Sequence, residues 1–329
     1  MSRGLSVLIL TAVLVAFNVG ALADDAPDAV RIALDWTPNT NHTGIFVALD
    51  LGFFADEGLD VTVLQPGPTA SIPLVASGRA EFGVSVQEYV TMNRAQGVPV
   101  VSIATLFQHN TSGFAAPRSA GISSPVDFEH RRYAGWGSDL ETVTIRTVME
   151  SVGADFSTVE MVNIGTMDFA TAVRRDFADF MWIFYGWQGI HAQLEDIDFV
   201  YLPVADFDDA LEYYTPLIIS SEAMIAENPD IVTRFARALR LGYVHAILKP
   251  DEAADILLKY APELDPDLVH ASQQWIAEQT LDEIDGWGLQ EERVWAAFAD
   301  WALVNALIDQ PIDPTAAFTN RFLEEGESE

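Results

Sequence analysis

Between an alternating run, "VRIAL", and an apolar run, "GIFVALDLGFF", the chain places Asp35, Trp36, Asn39, Asn41 and His42 within eight residues. Asp35 accepts hydrogen bonds, Trp36 offers a flat aromatic face, and the two asparagines and His42 present both donors and acceptors. That inventory suits recognition of a flat small molecule with polar edges. The competing reading is a capping loop, with Thr40 or Asn41 capping the helix and Trp36 packed beneath it. A polar network this rich is costly to bury unless something satisfies it, which favours a ligand at Trp36 and His42.

Similar inventories recur further along. "SVQEYV" reads as a capping box, Ser85 with Glu88 three residues on, which makes a structural reason the stronger one for both and leaves Gln87 as a weaker ligand candidate. "GWGSDLETV" reads as a second capping box, Ser138 with Glu141, and Gly135 and Gly137 let the backbone pass close to whatever Trp136 touches. Trp136 fits either a cleft or interlobe packing. In "FMWIFYGWQGI", strand alternation sends Trp182 toward a core, and Gly186 breaks the run so that Tyr185, Trp187 and Gln188 stand at an exposed strand end. One of Tyr213 and Tyr214 is expected to close over a ligand and the other to pack a hinge. Asn110 and Ser112, beside His109, carry the same ambiguity.

Catalytic patterns are absent. The chain has no cysteine nucleophile, no G-x-S-x-G and no H-E-x-x-H, and its six histidines are scattered. Its glycine spacing fits neither the dinucleotide nor the nucleotide-triphosphate loop. No metal site and no cofactor are expected. With 49 acidic residues, no single carboxylate pair is informative.

The elements that position these residues read as βαβ units. From Ala29 a strand, a short helix over "GIFVALDLGFFADEG" and a second strand, "LDVTVLQP", are followed by "TASIPLVASGRA" as helix, "EFGVSV" as strand, "QEYVTMNRAQG" as helix and "VPVVSIATLF" as buried strand. The weakly periodic "QHNTSGFAAPRSAGISSPVDFEH" is assigned to a first interlobe crossing. A second set of βα units runs from "RRYAGWG" to "IDFVYLPV", "YYTPLIISSEAM" returns the chain, and the remainder is helical. This is the pattern of a bilobed α/β protein with a ligand cleft between lobes. One doubly wound domain with a helical tail fits the pattern as well.

Composition narrows the class. Arg3, the apolar run "LSVLILTAVLVAF" and "ALA" at 21–23 form the three parts of a secretory signal, with cleavage expected after about Ala23. The run is short of the roughly 20 residues that span a bilayer. Export without a cysteine suits a periplasm or a prokaryotic exterior and excludes a diacylglyceryl anchor. A net charge of −32, with Lys249 and Lys259 the only lysines, argues against nucleic acid as partner.

Read together, "LDWTPNTNHTG", "LGFFADEGLDVTV", "LVASGRAEFGVS", "GWGS" and "YGWQG" resemble the NMT1/THI5-like family of solute-binding proteins of ABC importers, over about residues 30–325. The resemblance implies a type II periplasmic-binding fold. A signal peptide at 1–23, a discontinuous first lobe at 24–112 and 216–329, and a second lobe at 113–215 are expected on that basis. The implied partners are a small heteroaromatic ligand and an importer permease with its ATPase, and the protein itself is expected to be a periplasmic monomer. The "DW-P-N-NHTG" signature is similar to that of binders of thiamine pyrimidine precursors, hydroxymethylpyrimidine or its formylamino relative, with a riboflavin-binding branch nearby. Carried across, the ligand-binding set is Asp35, Trp36, Asn41, His42, Ser85, Asn110, Trp136, Gly137, Ser138, Tyr185, Trp187, Gln188 and Tyr214. Trp36 lies against the ring, Asn41 and His42 form the cleft floor, and Tyr185 and Trp187 form the far wall. Pyrimidine binders of the family tend to follow the "GW" pair with Glu, where this chain has Gln188, which leaves riboflavin or another flat heteroaromatic open. The family's pyrimidine-synthesising enzymes depend on a cysteine-rich motif that this chain lacks.

Overall fold

Strand β1 (Asp28–Ala33) pairs in parallel with β2 (Leu59–Leu64) on one side and with β3 (Phe82–Ser85) on the other. The sheet is completed by β4 (Val100–Thr105) and by β10 (Leu217–Ser221), which returns from the far end of the chain and runs antiparallel between β3 and β4. The order is β2-β1-β3-β10-β4. These observations come from a computed structural model that describes residues 26–67 and 69–323. The expected signal segment, 1–23, lies outside the described residues.

The intervening chain repeats the plan. β5 (Ser112–Pro117) lies antiparallel between β8 (Met181–Phe184) and β9 (Phe199–Pro203), and β6 (Arg132–Gly135) pairs in parallel with β7 (Glu160–Asn163). A single parallel bridge, Tyr133 to Phe180, ties β6 to the residue before β8. The resulting order, β7-β6-β8-β5-β9, matches the first sheet, with one reversed strand in the fourth place. In each sheet that reversed strand is the one that has just crossed over from the other.

β5 corrects the expectation that "SGFAAP" belongs to an irregular crossing. Its pattern fails to alternate because the strand is central and buried on both faces. Gly113 is needed there, since a Cβ would sit 2.5 Å from the Leu202 carbonyl oxygen and 2.7 Å from the Tyr201 ring. The expected single helix after β1 is two, Thr43–Asp50 and Phe53–Asp56, separated at Gly52, whose φ of 82° breaks the helical path.

Helices Pro229–Leu248, Pro250–Tyr260 and Pro266–Thr280 each begin with proline, whose missing N–H is harmless in a first turn. Phe235 stacks on Phe82 with centroids 3.7 Å apart, fixing the longest helix to the first sheet. One buried apolar cluster contains residues of both sheets, among them Val100, Leu217, Phe114 and Trp182, together with Tyr213 of the return crossing. No helix among the described residues is long and apolar enough to cross a membrane.

Candidate functional site

The loop after β1 is built around Asn39. Its side chain accepts the Asn41 N–H at 2.9 Å, and its own N–H donates to His42 Nδ1 at 3.3 Å, a reciprocal cap on the short turn Thr40–His42. Because Nδ1 accepts, the ring proton sits on Nε2, which donates to Asp35 Oδ1 at 2.8 Å. His42 is fully buried. With both nitrogens occupied, it aims Asp35. The cap also falls on Asn39 and not on Thr40 or Asn41. Trp36 is 53% exposed, so it does not pack under the loop.

A long-range chain of hydroxyls anchors this loop to the opposite wall. Ser272, on Pro266–Thr280, donates to the Gly186 carbonyl oxygen, so the Thr40 hydroxyl is the donor in the 2.6 Å contact with Ser272. Tyr243 donates to the Asn41 carbonyl oxygen at 2.7 Å. Residues Tyr185–Gly189 form one turn of wide, π-type helix between β8 and the helix Ile190–Leu194. Gly186 permits that turn to press on the helix Pro266–Thr280, where a Cβ would lie 2.8 Å from the Trp275 ring. Asn41, Phe107, Gly186, Trp187, Thr215 and Trp275 line one narrow crevice of about 10 Å³. That is roughly the space of one water molecule and far under the volume usual for ligand pockets, so a ring compound enters only as the walls part.

The far wall differs from expectation in detail. Tyr185 turns inward, its ring 4.8 Å from Tyr201 and 5.2 Å from Trp275, its hydroxyl accepting from Gln193 Nε2 at 2.8 Å. Trp187 packs against the core of the first sheet. Gln188 folds back, its amide oxygen accepting the Phe184 N–H at 3.0 Å. Its amino group and one lone pair of that oxygen remain uncommitted. Trp182 is buried, as expected, and Trp136 lies on it with centroids 5.7 Å apart, still 37% exposed.

The two anticipated capping boxes divide. Ser138 caps Asp139–Ser151 and Glu141 reciprocates, as expected. The Glu141 carboxylate also accepts from the N–H groups of Trp136, Gly137 and Ser138 at 3.0, 2.7 and 2.8 Å and from the Tyr133 hydroxyl at 2.6 Å. Gly135 makes room for it, since a Cβ there would fall 1.8 Å from Oε1. Ser85, by contrast, is the last residue of β3, and Val86 is the cap of Gln87–Ala95, with no side-chain bond. The tight pairing of Ser85 with Leu217 keeps it in the sheet.

Three further candidates are committed to the chain itself. Asn110 bonds the Leu211 carbonyl oxygen at 2.8 Å and accepts the N–H and hydroxyl of Ser112. Tyr214 is buried, its hydroxyl accepting the Glu291 N–H at 2.9 Å. Gln87 braces that crossing, donating to the Val294 carbonyl oxygen and accepting the Tyr214 N–H. Tyr213 is buried too, so neither tyrosine lies open over a cleft. Sequence reasoning missed Ser272 and Trp275, which an ordinary amphipathic pattern conceals, and it set aside Glu88. Burial pushes the Glu88 carboxyl up to about 7, against weaker lowering by its own backbone and Tyr213.

Residues 39–253 match the model of a family described as NMT1/THI5 like. The chain belongs to this family. NMT1/THI5-like relatives include a formylaminopyrimidine-binding protein of Halalkalibacterium halodurans, 28% identical over 90% of this chain and 91% of that one. A 4-amino-5-hydroxymethyl-2-methylpyrimidine phosphate synthase of Legionella pneumophila is 28% identical over 89% and 92%. The riboflavin-binding protein RibY of Chloroflexus aurantiacus is 26% identical over 90% and 86%. The family thus joins binders and synthases. The fold is that of periplasmic binding proteins: the aliphatic sulphonate binding protein SsuA of Escherichia coli superposes with a TM-score of 0.69 at 12% identity, covering 88% of this chain and 92% of that one.

Proposed function

We propose that this NMT1/THI5-like protein is the extracytoplasmic solute-binding protein of an ABC importer, exported to the periplasm, and that it captures a small flat heteroaromatic of the thiamine-pyrimidine-precursor class. Lobe 24–112 with 216–329 closes on lobe 113–215 about the two crossings, and the closed form is what the permease and its ATPase recognise. The observation that carries this reading is the shared crevice: Asn41 of the loop after β1 and Gly186 and Trp187 of the turn after β8 line it together. Similarity to the formylaminopyrimidine-binding protein supports the ligand class. Similarity to RibY supports riboflavin as the second ligand to test.

Synthase activity is the weaker reading. The chain has no cysteine, and His42, the histidine of the loop, has both ring nitrogens engaged. Native mass spectrometry of protein purified from its own host is expected to show a co-purified ring compound. Isothermal titration with 4-amino-5-hydroxymethyl-2-methylpyrimidine and with riboflavin then ranks the two, with small-angle scattering reporting contraction on binding. Binding of neither compound, with no change in dimensions, would count against the proposal; turnover of a ligand would favour the synthase.

A further inference from the structure

Behind the crevice lies a second space of about 10 Å³, the room that one water molecule needs. Phe107 and Ile276 line both, so these two side chains form the partition between them. Several walls of the crevice are half-buried, whereas every residue around the inner space is buried. It is enclosed by the first turn of the helix Thr43–Asp50, by the helices Pro229–Leu248 and Pro266–Thr280, and by Trp287.

Three residues of that lining carry a buried polar atom with no partner in the protein: Thr43 at Oγ1, Gln273 at Oε1 and Trp287 at Nε1. They are 1%, 1% and 4% exposed. Other contacts fix how two of them are presented. Gln273 Nε2 donates to the Ala246 carbonyl oxygen at 3.2 Å, which leaves the oxygen as the free end of the amide. The Trp287 ring stacks on Tyr243 with centroids 5.0 Å apart, and Tyr243 is itself bonded to the Asn41 carbonyl oxygen. An indole N–H only donates, an amide oxygen only accepts, and a hydroxyl does both. An occupant that satisfies all three must therefore accept and donate at once. A metal ion or an ammonium cannot accept the indole proton, an anion has no proton for the amide oxygen, and the volume excludes an organic molecule. Three buried polar atoms left unmet would each cost as much as a lost hydrogen bond or more, which native proteins rarely tolerate.

We propose that this space is a binding site for one structural water, which accepts the Trp287 indole N–H, donates to the Gln273 amide oxygen and pairs with the Thr43 hydroxyl, bracing the base of the loop after β1. The water is a second link beside the Ser272 hydroxyl chain. Gln273 is the next residue after Ser272 on the same helix, and Thr43 directly follows the turn Thr40–His42 that Ser272 holds through Thr40. Both links therefore tie the same loop to the same helix, one through a side chain and one through solvent. A bridging water is nearly as good enthalpically as a direct hydrogen bond and reaches three groups that cannot reach one another. Phe107 and Ile276 keep it apart from the crevice, so the site does not depend on which ligand the crevice takes.

The test begins with wild type. A high-resolution crystal structure is expected to show one ordered water at about 2.7–3.2 Å from Trp287 Nε1, Gln273 Oε1 and Thr43 Oγ1. Water-selective NMR is expected to show a cross-peak between the Trp287 indole proton and that water. Thr43→Val then removes one of the three partners at nearly constant volume. A hydroxyl bridged by water predicts a fall in the unfolding midpoint of about 2 °C or more. A hydroxyl left unmet predicts a rise, because its removal relieves a desolvation cost. Hydrogen exchange at the Asn41 and His42 amides, both bonded to Asn39, should accelerate about fivefold in the variant, the weight of one hydrogen bond. Absence of the water and its cross-peak from wild type overturns the site, as does a higher midpoint for Thr43→Val. A water in place with amide exchange unchanged by the substitution overturns the bracing role.

Discussion

Thr40 and Ser272, 232 positions apart in the chain, share a buried hydroxyl-to-hydroxyl hydrogen bond of 2.6 Å. Ser272 passes the interaction on to the Gly186 carbonyl oxygen, so a single side chain on a C-terminal helix sets the spacing between the loop after β1 and the turn after β8. Ser272→Ala is expected to leave both partners unmet and to lower stability by about 1–3 kcal/mol. It should also weaken ligand binding, because the two walls lose their common anchor. Chemical denaturation read beside calorimetry checks both effects, and unchanged affinity would separate the anchor from the site.

Trp36 gives the opposite signature. It is 53% exposed and makes no ring contact among the described residues, so Trp36→Ala should alter stability by under about 0.5 kcal/mol. If its face stacks on a bound ring, the loss of binding should be about 0.5–1.5 kcal/mol beyond the buried area. Equal affinities for wild type and variant in calorimetry would remove Trp36 from the site.

Stability should depend on pH through Glu88. Its folded pKa, about 7, lies above the ordinary 4.5, so between these values the native state holds a proton that the unfolded chain has lost. The sign follows: this group costs nothing below pH 4.5, destabilises progressively as pH rises to 7, and reaches a plateau on the order of 3 kcal/mol above it. The groups facing it, Tyr213 and Tyr89, are both pushed up from the usual tyrosine range and do not titrate in this window. Subtracting the Glu88→Gln unfolding curve from wild type between pH 4.5 and 8 isolates the effect from the other carboxylates. Parallel curves would show that the carboxyl is ionised throughout.

Gly186→Ala should crowd the Trp275 ring, which a Cβ would approach to 2.8 Å. Overpacking of this kind costs typically about 1–3 kcal/mol. Tryptophan fluorescence should report the displaced ring, and a spectrum and midpoint identical to wild type would contradict the close approach.

Much of the fold is legible locally. Alternation over β1 and β2, the proline starts of the C-terminal helices and the Ser138–Glu141 cap are short-range signals, and local sterics or one reciprocal bond suffice to produce them. β5 escapes the local pattern because a central strand, Ser-Gly-Phe-Ala-Ala-Pro, buried on both faces carries no alternation, and the close approach of Tyr201 to Gly113 is set only by the fold. Ser85 and Glu88 matched a cap pattern, yet the pairing of Ser85 with Leu217 holds the residue in the sheet and moves the helix start to Gln87. A local pattern gave way there to a strand that arrives from the other end of the chain.

The amino-acid sequence by itself determined the element types, the absence of a thiol nucleophile, the strongly acidic charge and the polar and aromatic stretches at strand ends, because each depends on residues that are neighbours along the chain. Tertiary structure decided which of those residues still have atoms to offer. His42, Asn110 and Tyr214 are taken up by internal hydrogen bonds and Glu88 is buried against Tyr213, whereas Trp36 keeps an open face. Whether a hydrogen-bonding group is free depends on what folding brings within about 3 Å of it, and for Thr40, Ser272 and Gly186 those partners lie in three distant parts of the chain.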